Sequence, residues 1–152
     1  MSVRPRDAAL VGLLACCWMV FGCAQVFSAD ESIEVVVVRV VDADTVRVRF
    51  PDYCPGMPAI MQEISVRFYG CDAPEKRSPN PELRALQREG MDLMKSLLRP
   101  GQRVQLQVRK WDKFGGRVDG VILVDGLDPC ELLIGRGLAK PYHGESKSGL
   151  WQ

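Results

Sequence analysis

Two short acidic stretches and two arginines carry most of the chemistry that this chain of 152 residues offers. The stretches are Asp42-Ala43-Asp44-Thr45 and Asp72-Ala73-Pro74-Glu75, and the arginines are Arg67 and Arg117. Carboxylate oxygens are the donors a hard cation prefers, and a carboxylate within reach of a water can orient it or take its proton. A guanidinium fork matches phosphate oxygens and offsets negative charge that grows in a transition state, which lysine does less well. Each residue also has an ordinary use. Aspartates favour turns and caps, Glu75 beside Lys76 suits a solvated surface, and a strand arginine often meets only water. For Asp42 taken alone, the turn role is preferred.

Competing chemistries fail on spacing. Gly144-Glu145-Ser146-Lys147-Ser148-Gly149 does not satisfy Gly-x-Ser-x-Gly, and His143, the single histidine, lies in the same tail segment, which argues against a serine hydrolase. Asp42-Ala43-Asp44 begins like an EF-hand loop, yet Val46 replaces the third oxygen donor and no loop glycine follows. There is no Cys-x-x-Cys to support a zinc or thioredoxin-like site, and Cys71 reads as an apolar strand neighbour rather than a nucleophile.

The elements that must position these groups are legible in the periodicity. Residues 33–41 form an apolar β-branched run, and Val46, Val48 and Phe50 alternate with Arg47 and Arg49 at period two. With the Asp-bearing turn between them they predict a hairpin. After a Pro- and Gly-bearing loop, Ile64, Val66 and Phe68 alternate with Ser65, Arg67 and Tyr69, which predicts a third strand with Arg67 directed away from the apolar face. The period then changes. Leu83, Leu86, Gly90, Leu93, Met94 and Leu97 recur every three or four residues between Pro81 and Pro100-Gly101, the pattern of an amphipathic helix.

Val104, Leu106 and Val108 alternate with arginines and glutamines, and a Gly-bearing turn leads to the apolar run at 121–124, a second hairpin. Asp128, Pro129 and Glu131 suit the N-cap, N1 and N3 of a short helix ending at Gly137, and the tail beyond Tyr142 reads as loop. Three strands, a helix, two strands and a short second helix predict an α+β, mainly β fold. Its expected form is a five-stranded OB-type barrel with a helix between strands three and four.

Composition bounds the rest. With 47% hydrophobic and 26% charged residues, length and content suit about one globular domain. Residues 1–29 are set aside: Arg4 and Arg6 precede an uncharged run at 8–29, the layout of an export signal. The expected boundary lies after Ala24 or Ser28, with a lipid-modified Cys23 or an uncleaved anchor as alternatives. Residues 30–152 then form the domain, exported to the periplasm or medium and touching a membrane only through an uncleaved or lipidated N-terminus.

The net charge of +1 gives no bulk drive toward nucleic acid, so any such affinity must come from where the charges sit. Of six cysteines, Cys54, Cys71 and Cys130 survive cleavage, which permits at most one internal disulfide and an odd thiol in an oxidising compartment.

Four segments in series resemble the thermonuclease (staphylococcal nuclease-like) family: residues 40–46, residues 66–75, Asp112-Lys113-Phe114-Gly115-Gly116-Arg117, and residues 130–140. The resemblance covers most of residues 35–142. It implies calcium-dependent endonucleolytic hydrolysis of phosphodiesters in single-stranded DNA or RNA by a monomer with no obligate protein partner. By the same resemblance Asp44, Asp72 and the Ala73 carbonyl hold calcium, with Asp42 and Thr45 in support. Glu75 acts on the attacking water, and Arg67 and Arg117 act on the phosphate. Lys113, Phe114 and Tyr142 are the implied substrate contacts.

The chain departs from the family in four places. Two glycines stand before Arg117 where one is usual. Ala43 replaces a common glycine at a cost of roughly 1 kcal/mol if that turn is left-handed. Phe114 lacks a hydroxyl, and the usual long C-terminal helix is missing, so that Trp151 is expected to cover part of the barrel. The alternative is a nuclease-like binding module without useful catalysis. An envelope-anchored structural protein is a third reading.

Overall fold

In the computed structural model the described residues are 32–51, 62–111, 116–145 and 150–151. Period-two alternation becomes strands β1 (Ile33–Asp42), β2 (Thr45–Arg49), β3 (Glu63–Phe68), β5 (Arg103–Trp111) and β6 (Arg117–Leu123), with a short β4 (Gly70–Asp72) after β3 and β7 (Lys140–Tyr142) near the end. The 3.6-residue period becomes helix α1 (Pro81–Leu97), which follows β4, and α2 (Pro129–Gly135), which follows β6. The fold is α+β and mainly β.

Five strands close into a barrel in the order β1-β2-β3-β6-β5. Closure comes from antiparallel pairing of β1 with β5, and β3 and β6 form a parallel pair. Val35, Val37, Val46, Val48, Val66, Phe68, Val104, Leu106, Val118 and Ile122 are all buried, so one face of every strand fills the interior, as a barrel of this size requires. Gly120 is needed on β6. A Cβ there would lie 2.8 Å from the Gln107 carbonyl oxygen, closer than the ladder to β5 tolerates.

Outside the barrel, β4 and β7 form a separate antiparallel pair that the periodicity did not reveal, because three-residue strands are too short to show a period. Gly70 makes the bend from β3 into β4 with φ +109°, a conformation that disfavours any side chain. The Cys71–Cys130 disulfide ties β4 to the first turn of α2 and replaces the expected reading of Cys71 as a simple apolar neighbour.

Both helices begin as their caps dictate. Asn80 accepts from the Glu82 N–H at 2.8 Å and Asp128 from the Cys130 N–H at 2.8 Å, each followed by proline at the first helical position. The short helix ends at Gly135 rather than Gly137, since Arg136 leaves helical geometry and Gly137 turns at φ +71°. The buried face of α1 carries Gln87, Gly90 and Met94. Among the described residues no helix is long and apolar enough to cross a membrane.

Candidate active site

The β1–β2 connection is a two-residue turn, Ala43-Asp44, and local hydrogen bonds fix its carboxylates. The Ala43 N–H donates to Asp42 Oδ1 at 3.0 Å, and Thr45 Oγ1 donates to Asp44 Oδ1 at 2.9 Å. From α1, Gln87 Nε2 donates to the same Asp42 oxygen at 2.6 Å, while Lys76 Nζ donates to the Val41 carbonyl. Asp42 therefore closes β1 at the edge of the turn and is held from two sides.

The expected strain at Ala43 is corrected. Among the described non-glycine residues it is Asp125 that has positive φ, so Ala43 avoids the left-handed region. Ala43 is instead fully buried, and a Cβ built on Gly90 would lie 3.1 Å from its own Cβ. The two small residues let α1 approach the acidic turn closely enough for Gln87 to reach Asp42.

Arg67 stands opposite Thr45 in the β2–β3 ladder, on the outer side of the barrel predicted from strand parity. Its Nη2 bonds Asp72 Oδ1 at the end of β4 and lies 3.6 Å from Asp44 Oδ2, so one guanidinium nitrogen meets both carboxylates. The Ala73 N–H approaches Asp44 Oδ2 at 3.4 Å, which sets the Ala73 backbone beside the turn. Burial pushes the Asp44 carboxyl above its ordinary range, with Arg67 the foremost opposing influence and Asp72 adding to the rise. Asp72 is itself only 2% exposed, and Trp151 Nε1 donates to its second oxygen at 3.0 Å. The Tyr142 ring lies with its centroid 5.7 Å from the Arg67 guanidinium carbon, within cation–π range.

Arg117 heads β6 opposite Ser65. Before it, Gly116 takes φ +61° while its carbonyl accepts from the Ser65 N–H at 3.3 Å, so the arginine keeps a strand position after the glycine pair. Glu75 is exposed in the loop after β4.

These groups line one open cleft of about 390 Å³: Asp42, Asp44, Thr45, Arg67, Asp72, Ala73, Glu75 and Arg117, joined by Pro74, Lys76 and Arg77. Of the substrate contacts implied by sequence, Tyr142 adjoins Arg67, whereas Lys113 and Phe114 lie outside the described residues. So do Cys54 and the whole of residues 1–29.

Sequence reasoning missed the Trp151 bond to Asp72 and the cysteine pairing, whose partners are 79 and 59 residues apart. It also missed Asp119 on β6, which lies 3.4 Å from Lys110 Nζ and leaves Oδ1 buried without a hydrogen-bond partner among the described residues. No local signal announces such contacts, although a lone C-terminal Trp and two cysteines near predicted element ends were the available hints.

Among the described residues no three His, Cys, Asp or Glu side chains form a metal-holding group. What meets at the cleft is a pair of carboxylates with a backbone segment beside them. The two carboxylates supply oxygen donors of the kind a hard cation takes, although Arg67 Nη2 meets both of them and the Ala73 group shown beside Asp44 is an N–H. Compared with known proteins, the chain matches no family model and no curated protein.

Proposed function

We propose that the chain is a thermonuclease-like hydrolase of OB-type architecture that cleaves phosphodiester bonds in single-stranded DNA or RNA with calcium. One observation carries this reading: four separated segments bring Asp44, Asp72, Glu75, Arg67 and Arg117 to the same cleft. A surface that only bound a polyanion would gain nothing from carboxylates facing phosphate, whereas hydrolysis needs both signs of charge. The strand order of the barrel supports the OB-type reading. The disulfide supports export, because such bonds persist in oxidising compartments.

In this reading Asp44, Asp72 and the Ala73 carbonyl hold calcium, with Asp42 and Thr45 fixing the turn, and calcium when bound supplies positive charge at the scissile phosphate. Arg67 meets both aspartates through Nη2, and a guanidinium carries further N–H donors that suit a phosphate oxygen. Arg117 pairs with a second oxygen and offsets the charge added when water attacks phosphorus. Glu75 orients that water and receives its proton as the new P–O bond forms and the bond to the leaving oxygen breaks. Tyr142 offers an aromatic face beside Arg67 on which a base can stack.

The test is hydrolysis of single-stranded DNA and RNA by the full chain, with calcium and with chelator, alongside Glu75→Gln and Arg117→Ala. Calcium-dependent cleavage that falls at least about 100-fold in each variant is expected. Chelator-insensitive cleavage or unimpaired variants would overturn the assigned centre. A folded wild type that binds the polymers without cutting them would make the chain a binding module.

A further inference from the structure

A second open depression, of about 400 Å³, lies against the outer face of α1 and shares Lys76 with the cleft. Along it stand Arg84, Arg88 and Lys95, at intervals of four and seven residues that return to the same side of a helix. They span roughly 16 Å along the axis at 1.5 Å per residue. Among the described residues, Asp92 is the acidic one lining this groove.

The cations differ in how committed they are. Arg84 Nη1 is bound to the Ser78 and Pro79 carbonyls at 2.8 and 2.9 Å, and Lys76 Nζ is bound at Val41. Arg88 is exposed and has no ion pair among the described residues. Lys95 lies 3.9 Å from Asp92, but the two side chains are 58% and 79% exposed, a pairing worth little in water. Two cations are thus available to an incoming anion, and two are held rigidly beside them.

Helix-surface cations are often merely solvated. This row differs because it is concave, because it runs into the cleft at Lys76, and because the Gln87 bond to Asp42 locks its helix to the acidic turn. With a whole-chain net charge of only +1, the row is a local concentration of charge rather than a share of a general excess.

We infer that this groove binds the backbone phosphates of a single nucleic-acid strand that flank the phosphate held in the cleft. One row of cations tracks one backbone. Among the described residues no aromatic side chain lines the groove, so its binding is indifferent to base and sensitive to salt. The inference deepens the nuclease reading and rests on it for the position of the strand.

The test measures binding without cleavage, in chelator, by fluorescence anisotropy of the full chain with a labelled oligonucleotide of about twelve nucleotides, a length that a single OB-type site can cover. Replacing Arg88→Gln and Lys95→Gln together should lower the slope of log affinity against log salt by about 1.4, at about 0.7 per phosphate contact on a single strand. At about 0.15 M salt that corresponds to a roughly ten-fold weaker Kd. Affinity for a dinucleotide, too short to leave the cleft, should change less than about two-fold, with the thermal midpoint unmoved.

Arg136→Gln, which removes one exposed charge at the end of α2, should leave oligonucleotide binding unaltered. Unchanged affinity and salt slope in the double variant, equal loss for both ligands, or no oligonucleotide binding by the wild type would each overturn the groove. Groove-dependent binding by a wild type that never cleaves in calcium would keep the groove and defeat the hydrolase.

Discussion

Replacing Arg67 by methionine keeps a long apolar stem and removes the cation that Asp44 and Asp72 share. An exposed ion pair is worth about 0.2–1 kcal/mol, whereas breaking a buried one costs about 3–5 kcal/mol because a stranded charge remains. The side chain of Asp72 is 3% exposed and that of Asp44 13%, which puts them near the buried limit, while Arg67 at 18% keeps some water. Asp72 would retain the Trp151 N–H, and Asp44 the Thr45 hydroxyl, so neither carboxylate is left bare.

A loss of about 3 kcal/mol in chelator at neutral pH follows. It should be read by urea unfolding, with a thermal midpoint lowered by roughly 9 °C for a chain of this size. In a cycle with Asp72→Asn the double variant should lose about 2 kcal/mol less than the sum of the single losses, because the charge that Arg67 compensates is gone. Calcium should stabilise Arg67→Met more than wild type, since Arg67 no longer competes for the carboxylate pair. A loss under about 1 kcal/mol without coupling would refute the claim that Arg67 is the structural counter-charge of this site.

The disulfide should matter for stability as well as for the position of Asp72. Closing a loop between cysteines 59 residues apart removes about 4 kcal/mol of chain entropy from the unfolded state, so Cys71→Ala with Cys130→Ala should lower unfolding free energy by up to that amount, and a change under about 1 kcal/mol in urea titration would contradict it. At the start of α2, burial raises the Asp128 carboxyl above its ordinary value of 3.8. The folded state then holds that proton longer than the unfolded chain, so this group's contribution is full below 3.8 and is lost as pH rises through the folded value. Asp128→Asn keeps the cap without the charge and should match or exceed wild type at neutral pH with a flatter pH profile, whereas Asp128→Ala should cost about 1 kcal/mol, both read from urea midpoints across pH.

The elements that proved legible are those whose signal is local. Alternating valines at 46 and 48, and Val66 with Phe68, announce strands because a half-buried strand must present every second side chain to one face. Asn80-Pro81 and Asp128-Pro129 announce helix starts because capping is settled within three residues. The same parity placed Arg67 on the outside of the barrel, and the Asp-bearing turn at 42–45 followed from the short connection between two strands.

What stayed hidden depends on distance along the chain. The pairing of β4 with β7, the Cys71–Cys130 bond, the Trp151 contact with Asp72 and the Gln87 contact with Asp42 join residues that no window of sequence contains together. Neighbouring residues were enough to read the five barrel strands, the two helices and the side chains that carry charge. That Arg67 bridges two aspartates and that a tryptophan near the C-terminus holds one of them follows from long-range packing. Periodicity and capping are short-range energies written in neighbouring residues, whereas the closing of a barrel and the docking of its outer segments are set by the packing of the whole chain.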